Sequence, residues 1–221
     1  MGGFFGAVSK RDCILDVFFG TDYHSHLGTR RGGMAAYDPQ LGLQREIHNI
    51  ENSPFRTKFD GILNDMKGTS AIGCISDTDP QPLLIRSNLG TYAICTIGII
   101  NNAEALFSQY LSFSGGHFEA MSGGRVNSNE LISALIDQKS SFAEGIRFAQ
   151  DMIEWTASIL ILKDDGHLIA ARDKLGRIPI ILEKNGDGFC VTFEDYAGEK
   201  LGYEFYRELG PGEVVELTPE G

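Results

Sequence analysis

Apolar residues begin almost at the start of the chain. Residues 3–8 contain two phenylalanines, an alanine and a valine, with two glycines and no charged side chain. A continuous apolar run of this length predicts a buried strand. Taken alone, these residues favour an ordinary edge strand, because chain ends are usually held loosely.

Short apolar or alternating runs recur along the rest of the chain and predict further strands. Several are separated by the glycine, asparagine and aspartate residues that hairpin turns require, at residues 88–90, 164–166 and 184–188. The runs cover residues 34–37, 45–50, 71–76, 83–85, 92–97, 159–162, 167–171, 178–182, 189–193 and 213–217.

Apolar residues at helical spacing predict an amphipathic helix in five places. These are residues 13–19, 54–66, 102–113, 128–138 and 141–155. Asn127 with Glu130 resembles a capping box at the start of the fourth helix. Gly115 and Gly116 are expected to end the third helix.

Strands open and close the chain, and three of the helices come as a block between two groups of strands. This order predicts an α+β protein with two stacked sheets and helices on their outer faces. The hairpin turns favour antiparallel pairing. No linker, repeat or low-complexity segment divides residues 1–221, so we expect one domain.

Composition narrows the classes of protein. Hydrophobic residues make up 42% of the 221 residues, enough for a full core, and the net charge is -11. Such a negative charge argues against a nucleic-acid partner. No signal peptide or membrane span is recognisable, and the cysteines lack a CxxC motif, so we expect a cytoplasmic protein with no membrane partner and reduced thiols.

The residues themselves offer little recognisable chemistry. His24 and His26 have no acidic or cysteine partner that would complete a metal site, so they are expected to be core or surface histidines. Arg172 and Asp173 follow an apolar strand, and we expect them to be a buried pair that pins a turn. The sequence predicts no metal site and no cofactor.

A resemblance to a known family comes from the order of several motifs. Residues 170–180 place Arg-Asp after a strand and before a Gly and a Pro, residues 193–195 are Phe-Glu-Asp, and residues 210–213 are Gly-Pro-Gly-Glu. At the front, residues 2–6 stand where this family has Cys-Gly-Ile-Phe-Gly. Over its whole length the chain resembles a class II glutamine amidotransferase domain, most of all the glutaminase half of amidophosphoribosyltransferase.

The resemblance implies the N-terminal-nucleophile hydrolase fold, a four-layer αββα sandwich of two mainly antiparallel sheets. In that family the N-terminal cysteine attacks the side-chain amide of glutamine, and its own amino group acts as the base. An asparagine and a glycine form the oxyanion hole. An arginine holds the substrate carboxylate and an aspartate holds its amino group.

The family's functional residues are almost all replaced in this chain. The nucleophile position is Gly2, the arginine position is Ser76 and the asparagine position is Ile97. The oxyanion glycine is kept as Gly98, and the aspartate position is Ser128. We expect these five positions to converge on one cleft, with the first strand in the centre of its sheet.

These substitutions predict a degenerate glutamine amidotransferase domain with a structural or regulatory role in purine biosynthesis. The former pocket could still bind a glutamine-like small molecule. One alternative is an active hydrolase that uses Cys13 after cleavage behind Asp12; another is an assembly module without a ligand. The resemblance also implies a phosphoribosyltransferase domain outside this chain, and it allows a homo-oligomer.

Overall fold

The structure is a computed structural model that describes residues 2–114, 118–119, 121–122 and 124–221. Its strands are β1 (Gly2–Ser9), β2 (Arg31–Asp38), β3 (Gly42–Asn49), β4 (Ser70–Ser76), β5 (Leu83–Ser87), β6 (Gly90–Ile100), β7 (Met121–Ser122), β8 (Arg125–Val126), β9 (Trp155–Lys163), β10 (Leu168–Ala171), β11 (Ile181–Lys184), β12 (Gly188–Thr192), β13 (Glu204–Glu208) and β14 (Val214–Leu217). Its helices are α1 (Ile14–Tyr23), α2 (Phe55–Phe59), α3 (Ala103–Ser114), α4 (Ser128–Ile136), α5 (Phe142–Met152) and α6 (Asp195–Lys200), with short 3₁₀ helices at Ser25–Leu27 and Asp60–Asn64.

Two antiparallel sheets form the frame of the protein. The first has seven strands in the order β13-β11-β12-β1-β4-β2-β3, and the second has five in the order β14-β10-β9-β6-β5. Strand β1 lies in the middle of the larger sheet, between β12 and β4. The expectation of a central first strand is therefore confirmed, and the edge strand favoured by its residues alone is not found.

The two sheets pack face to face through an apolar core. Because side chains alternate along a strand, Phe4 points into this inter-sheet core while Phe5 points away from it. Phe4 meets Cys95 and Leu160 of the second sheet in one buried cluster. Burial of this kind is the dominant favourable term in folding.

Helices cover both outer faces. Helices α1, α2 and α6 pack on the larger sheet, where Phe5, Phe18 and Phe59 share one buried cluster. Helices α3, α4 and α5 cover the smaller sheet, where Leu131 and Ile146 lie in another. The layers are αββα, which confirms the predicted fold class.

Several element boundaries differ from those predicted. The helix expected over residues 54–66 divides into α2 and the 3₁₀ helix Asp60–Asn64, with Gly61, a poor helix former, inside the second piece. Strand β2 begins at Arg31 rather than at residue 34. Helix α6 and strand β13 were not predicted, and the predicted stop at Gly115 and Gly116 lies outside the described residues.

The expected pairing of Arg172 with Asp173 is wrong. Arg172 donates to the Glu208 carboxylate at 2.7 Å and to the carbonyl oxygens of Ile178 and Gly176. The Asp173 carboxylate instead accepts backbone N–H groups of the turn that follows it, including that of Leu175. The two side chains pin the turn separately, because consecutive extended residues point in opposite directions.

Within the described residues, no helix has the length and apolar character needed to cross a lipid bilayer.

Candidate functional site

The predicted site positions meet at one end of the sheet sandwich. Gly2 opens β1 and lies directly opposite Ser76, the last residue of β4. Gly2 faces the same side as Phe4, toward the second sheet, where Ile97 of β6 lies. Gly98 follows Ile97, and it lines one small cavity together with Ser128. The structure thus brings all five positions together, although they are far apart in the sequence.

There is no room for a side chain at position 2. A Cβ atom built on Gly2 would lie deep inside the van der Waals radius of the Ile75 carbonyl oxygen. It would also lie 3.1 Å from Cδ1 of Ile97, a distance at which one of the groups must move. A nucleophile at this position therefore needs a shift of the backbone as well as a substitution.

Ser76 has a local role in place of a substrate clamp. Its side chain is buried, and its hydroxyl accepts the backbone N–H of Thr78 at 3.2 Å. This contact closes the turn after β4. A short neutral hydroxyl held in a turn cannot supply the charge that would bind a carboxylate.

The cavity beside Gly98 and Ser128 has a volume of about 20 Å³. Polar side chains line part of it: Thr78, Asp79, Thr96, Ser128 and Thr156. The Asp79 carboxylate accepts the backbone N–H of Ser128 at 3.2 Å, at the first turn of α4. The carboxylate is thus already engaged by the helix N-terminus, where negative charge is favoured.

A buried amide network holds this end of the molecule together. Gln81 accepts the backbone N–H of Thr96 at 2.9 Å and donates to the Thr96 carbonyl at 3.1 Å. Its side-chain oxygen Oε1 also accepts a hydrogen bond from Nδ2 of Asn129 at 2.9 Å. Asn127 donates to the Pro80 carbonyl at 2.8 Å and caps α4 by accepting the N–H of Asn129. The loop before β5, strand β6 and helix α4 are therefore fixed relative to one another.

The two histidines have structural positions. His24 is fully buried, with Nδ1 2.6 Å from the Gly20 carbonyl oxygen and Nε2 3.2 Å from the Thr192 hydroxyl. Burial lowers its pKa, so the imidazole stays neutral near pH 7. His26 is half exposed and lies 3.1 Å from Glu194. Within the described parts of the chain, no three His, Cys, Asp or Glu side chains form a metal-binding group.

The surroundings of the Cys13 thiol disfavour reactivity. Its thiol is fully buried and contacts the Ala7 carbonyl oxygen at 3.7 Å. Burial, and after it the charge of Asp12, raises the pKa of this thiol far above its usual value. The thiolate is the reactive form of cysteine, so this environment suppresses nucleophilic chemistry.

One buried carboxyl group lies outside the site, under helix α6. Glu183 of β11 has no exposed surface, and its Oε1 atom has no hydrogen-bond partner among the described residues. Its pKa is raised to about 7, chiefly by burial. The hydrogen bond from Cys190 lowers the pKa, whereas the charges of Asp195 and Glu199 raise it further. Gly198 of α6 leaves the space that this carboxyl group occupies.

The sequence did not single out the residues that close the site. Thr96, Thr156 and Asn129 carry no motif, and their roles depend on pairing between distant strands and on the position of α4. Asp79 belongs to the Asp-Thr-Asp stretch at residues 77–79, which directly follows β4. Its partner Ser128 could be identified only from the fold.

Comparison with known proteins finds amidophosphoribosyltransferases as relatives. No protein-family model matches the chain. The amidophosphoribosyltransferase of Bacillus subtilis is 26% identical over 230 residues, which cover 99% of this chain and 46% of the relative. That of Methanocaldococcus jannaschii is 25% identical over 226 residues, covering 98% and 47%. This chain therefore spans about half the length of the curated relatives that it matches.

Solved structures agree with the sequence relatives. The glutamine phosphoribosylpyrophosphate amidotransferase of B. subtilis, solved with ADP and GMP, matches with a TM-score of 0.86 at 26% identity, over 99% of this chain and 48% of that chain. A glutamine aminotransferase class-II domain protein from Silicibacter pomeroyi matches with a TM-score of 0.63 at 13% identity, over 99% and 96%. This second match, at such low identity, concerns the fold alone.

Proposed function

Since the chain is a glutamine amidotransferase type-2 domain related to the glutaminase half of amidophosphoribosyltransferases, we propose that it has lost glutaminase activity and serves a structural or regulatory role. The role belongs to a larger amidophosphoribosyltransferase-like protein of purine biosynthesis. Its relatives are about twice as long as this chain, which supports a further, phosphoribosyltransferase domain in the natural protein.

The observation that carries the proposal is the geometry at Gly2. Covalent catalysis needs a side-chain nucleophile, and Gly2 has none. The Ile75 carbonyl and the Ile97 side chain occupy the space that such a side chain would need. Loss of a single oxyanion donor costs about 10²–10³ in rate, and the aliphatic Ile97 provides no side-chain donor.

The size of the remaining cavity argues against glutamine as a ligand at this position. About 20 Å³ is close to the space that a single water molecule needs, whereas pockets for small molecules measure about 300–1,000 Å³. The Asp79 carboxylate and the Gln81 network fix the residues around it. The glutamine-like ligand that the resemblance allowed is therefore not part of the proposal.

The structure also weakens the alternative that uses Cys13. Cleavage after Asp12 would remove β1, which pairs with a strand on each side in the centre of the larger sheet. It would expose Phe4, Phe5 and the cluster partners that these side chains cover. The filling of the former site by Ile97 is instead compatible with an assembly module that needs no ligand there.

Ammonia release from glutamine tests the proposal directly. The purified chain is expected to release ammonia at the buffer rate, with and without a thiol-reactive glutamine analogue. The B. subtilis amidophosphoribosyltransferase is the positive control. Analogue-sensitive release above background would refute the proposal, and its loss in Cys13→Ser would identify Cys13 as the nucleophile.

A further inference from the structure

A second cavity opens beside the former active site, on the strand ends of the smaller sheet. Its volume is about 200 Å³, ten times that of the cavity at Ser128. Seven residues line it: Ile97, Gly98, Ile99, Trp155, Thr156, Arg177 and Ile178. Most of this surface is aliphatic or aromatic, and an apolar cavity of about 150 Å³ is known to hold a benzene ring.

Trp155 forms one wall in an unusual backbone conformation. Its φ angle is +102°, and it is the single non-glycine residue with positive φ in the described chain. Trp155 is 42% exposed although it begins a strand of the sheet. A strained residue persists only where its surroundings fix it, and such residues are concentrated at ligand-binding positions.

Arg177 lies over this wall. Its guanidinium carbon is 3.8 Å from the centre of the Trp155 ring, a close cation–π contact. Within the described residues, no carboxylate or carbonyl group accepts a hydrogen bond from its side chain, whereas nearby Arg172 is fully engaged by Glu208 and backbone carbonyls. The donors of Arg177 are therefore available next to an apolar cavity.

Charge and shape together define a class of ligand. Arg177 is the one charged residue among the seven that line the cavity, and no acidic residue is among them. A planar guanidinium is well suited to bind a carboxylate through two hydrogen bonds. We propose that this cavity, which we call the Trp155 pocket, binds a small aromatic monocarboxylate whose ring packs on Ile97, Ile178 and Trp155 and whose carboxylate pairs with Arg177.

The Trp155 pocket is a site separate from the cavity at Ser128, although Gly98 and Thr156 border both. A Cβ at Gly98 would collide with the Thr156 carbonyl, so glycine is required for β6 to approach β9 at this point. Ile97 directs its side chain toward Gly2 as well as lining the pocket. The inference does not depend on whether the domain hydrolyses glutamine.

The test uses the emission of Trp155, which is the chain's one tryptophan and therefore reports on the pocket alone. Benzoate is the probe and benzamide its neutral counterpart of similar shape. We expect benzoate to change the emission in a saturable manner, with a Kd on the order of 1 mM for so small a ligand. Benzamide should bind more weakly.

Variants then separate the two parts of the pocket. Arg177→Gln should weaken benzoate binding roughly fivefold to tenfold while leaving the benzamide midpoint unchanged, because one exposed charged contact is lost. Ile178→Phe should fill the pocket and remove the response to both probes. Arg45→Gln, an exposed arginine on the other sheet, is the matched control and should behave as the unmodified chain.

Three results would overturn the proposal. One is emission quenching that rises linearly with benzoate and is equal in Ile178→Phe, which indicates collision alone. Another is equal affinity for benzoate and benzamide, which removes the role of the carboxylate. A third is an emission change that follows protein concentration rather than benzoate, which would make this face a contact between two copies of the chain.

Discussion

The structure around Gly2 leaves no space for a side chain. The Ile75 carbonyl oxygen and the Ile97 methyl group lie too close to the position of a Cβ, so this position is suited to glycine. Gly61 is different, because nothing lies within 4 Å of a Cβ built on it. This contrast provides a matched pair for experiment.

Gly2→Ala should destabilise the chain by about 1–3 kcal/mol, the usual cost of forcing an extra methyl group into a packed position. Gly61→Ala is the control and should change stability little, because the added methyl group meets no atom. Urea unfolding of both variants measures the difference. Gly2→Cys should be destabilised similarly and should remain without glutaminase activity, since the thiol would face Ile97 and Ser76.

Equal stabilities of Gly2→Ala and Gly61→Ala would show that the backbone around position 2 relaxes easily. Glutamine-dependent ammonia release by Gly2→Cys would mean that the family positions have been assigned wrongly.

Glu183 should make the stability of the protein depend on pH. Its folded-state pKa, about 7, is above the ordinary value of 4.5, so the folded state binds the proton more tightly than the unfolded state. The stabilisation is therefore complete below about pH 4.5 and is lost as the pH rises through about 7. The loss is at most about 3 kcal/mol.

Glu183→Gln should remove this part of the pH dependence and should be more stable than the unmodified chain above pH 7. Urea unfolding at a series of pH values measures it. Glu204→Gln, on the exposed strand β13, is the control and should leave the pH profile unchanged. A profile of Glu183→Gln parallel to that of the unmodified chain would contradict the assignment.

Among the secondary-structure elements, α4 depends most clearly on a single side chain. Asn127 caps the helix and also donates to the Pro80 carbonyl, and it is almost fully buried. Ser141 caps α5 by accepting the N–H of Glu144, but it is exposed. The two caps have the same local role in different surroundings.

Asn127→Ala should cost about 2–3 kcal/mol, because a buried carbonyl and a helix N–H lose their partner together. Ser141→Ala should cost about 1 kcal/mol, the ordinary value for an exposed cap. Thermal unfolding followed by circular dichroism compares them. Equal costs would show that the contact with Pro80 contributes nothing.

The elements also show what the sequence can predict. Runs with a continuous apolar pattern, such as residues 71–76, were recognised because both of their faces are buried. Strand β13 was missed because four of its five residues are exposed, so no apolar pattern exists. Helix α6 has six residues, too few for helical spacing to be evident. The family motifs identified positions that lie together in the structure. The Trp155 pocket instead depends on the approach of β6, β9 and the turn at Arg177, which no local pattern encodes.

At the scale of the whole molecule, β1 connects the C-terminal strands of the larger sheet to its N-terminal strands. It pairs with β4 on one side and with β12 on the other. A chain that starts at Cys13 should therefore fail to unfold cooperatively in urea, because the larger sheet loses a central strand and both adjacent apolar clusters are opened. Deletion of residues 218–221 is the control, since they follow the last strand, and should leave the transition intact. A cooperative transition in the first chain would return Cys13 to consideration as a nucleophile.

The pairing of Phe5 with Thr192 also has a consequence for how the protein is made. A ribosome adds about 5–20 residues per second, so the first strand leaves it roughly ten seconds or more before its second neighbour has been synthesised. During that delay, residues 4–8 remain an apolar segment without half of its sheet, and such segments are prone to aggregate. The yield on overproduction should therefore be limited by aggregation of the nascent chain rather than by the stability of the folded protein. Slower translation or a higher level of chaperone should raise the yield.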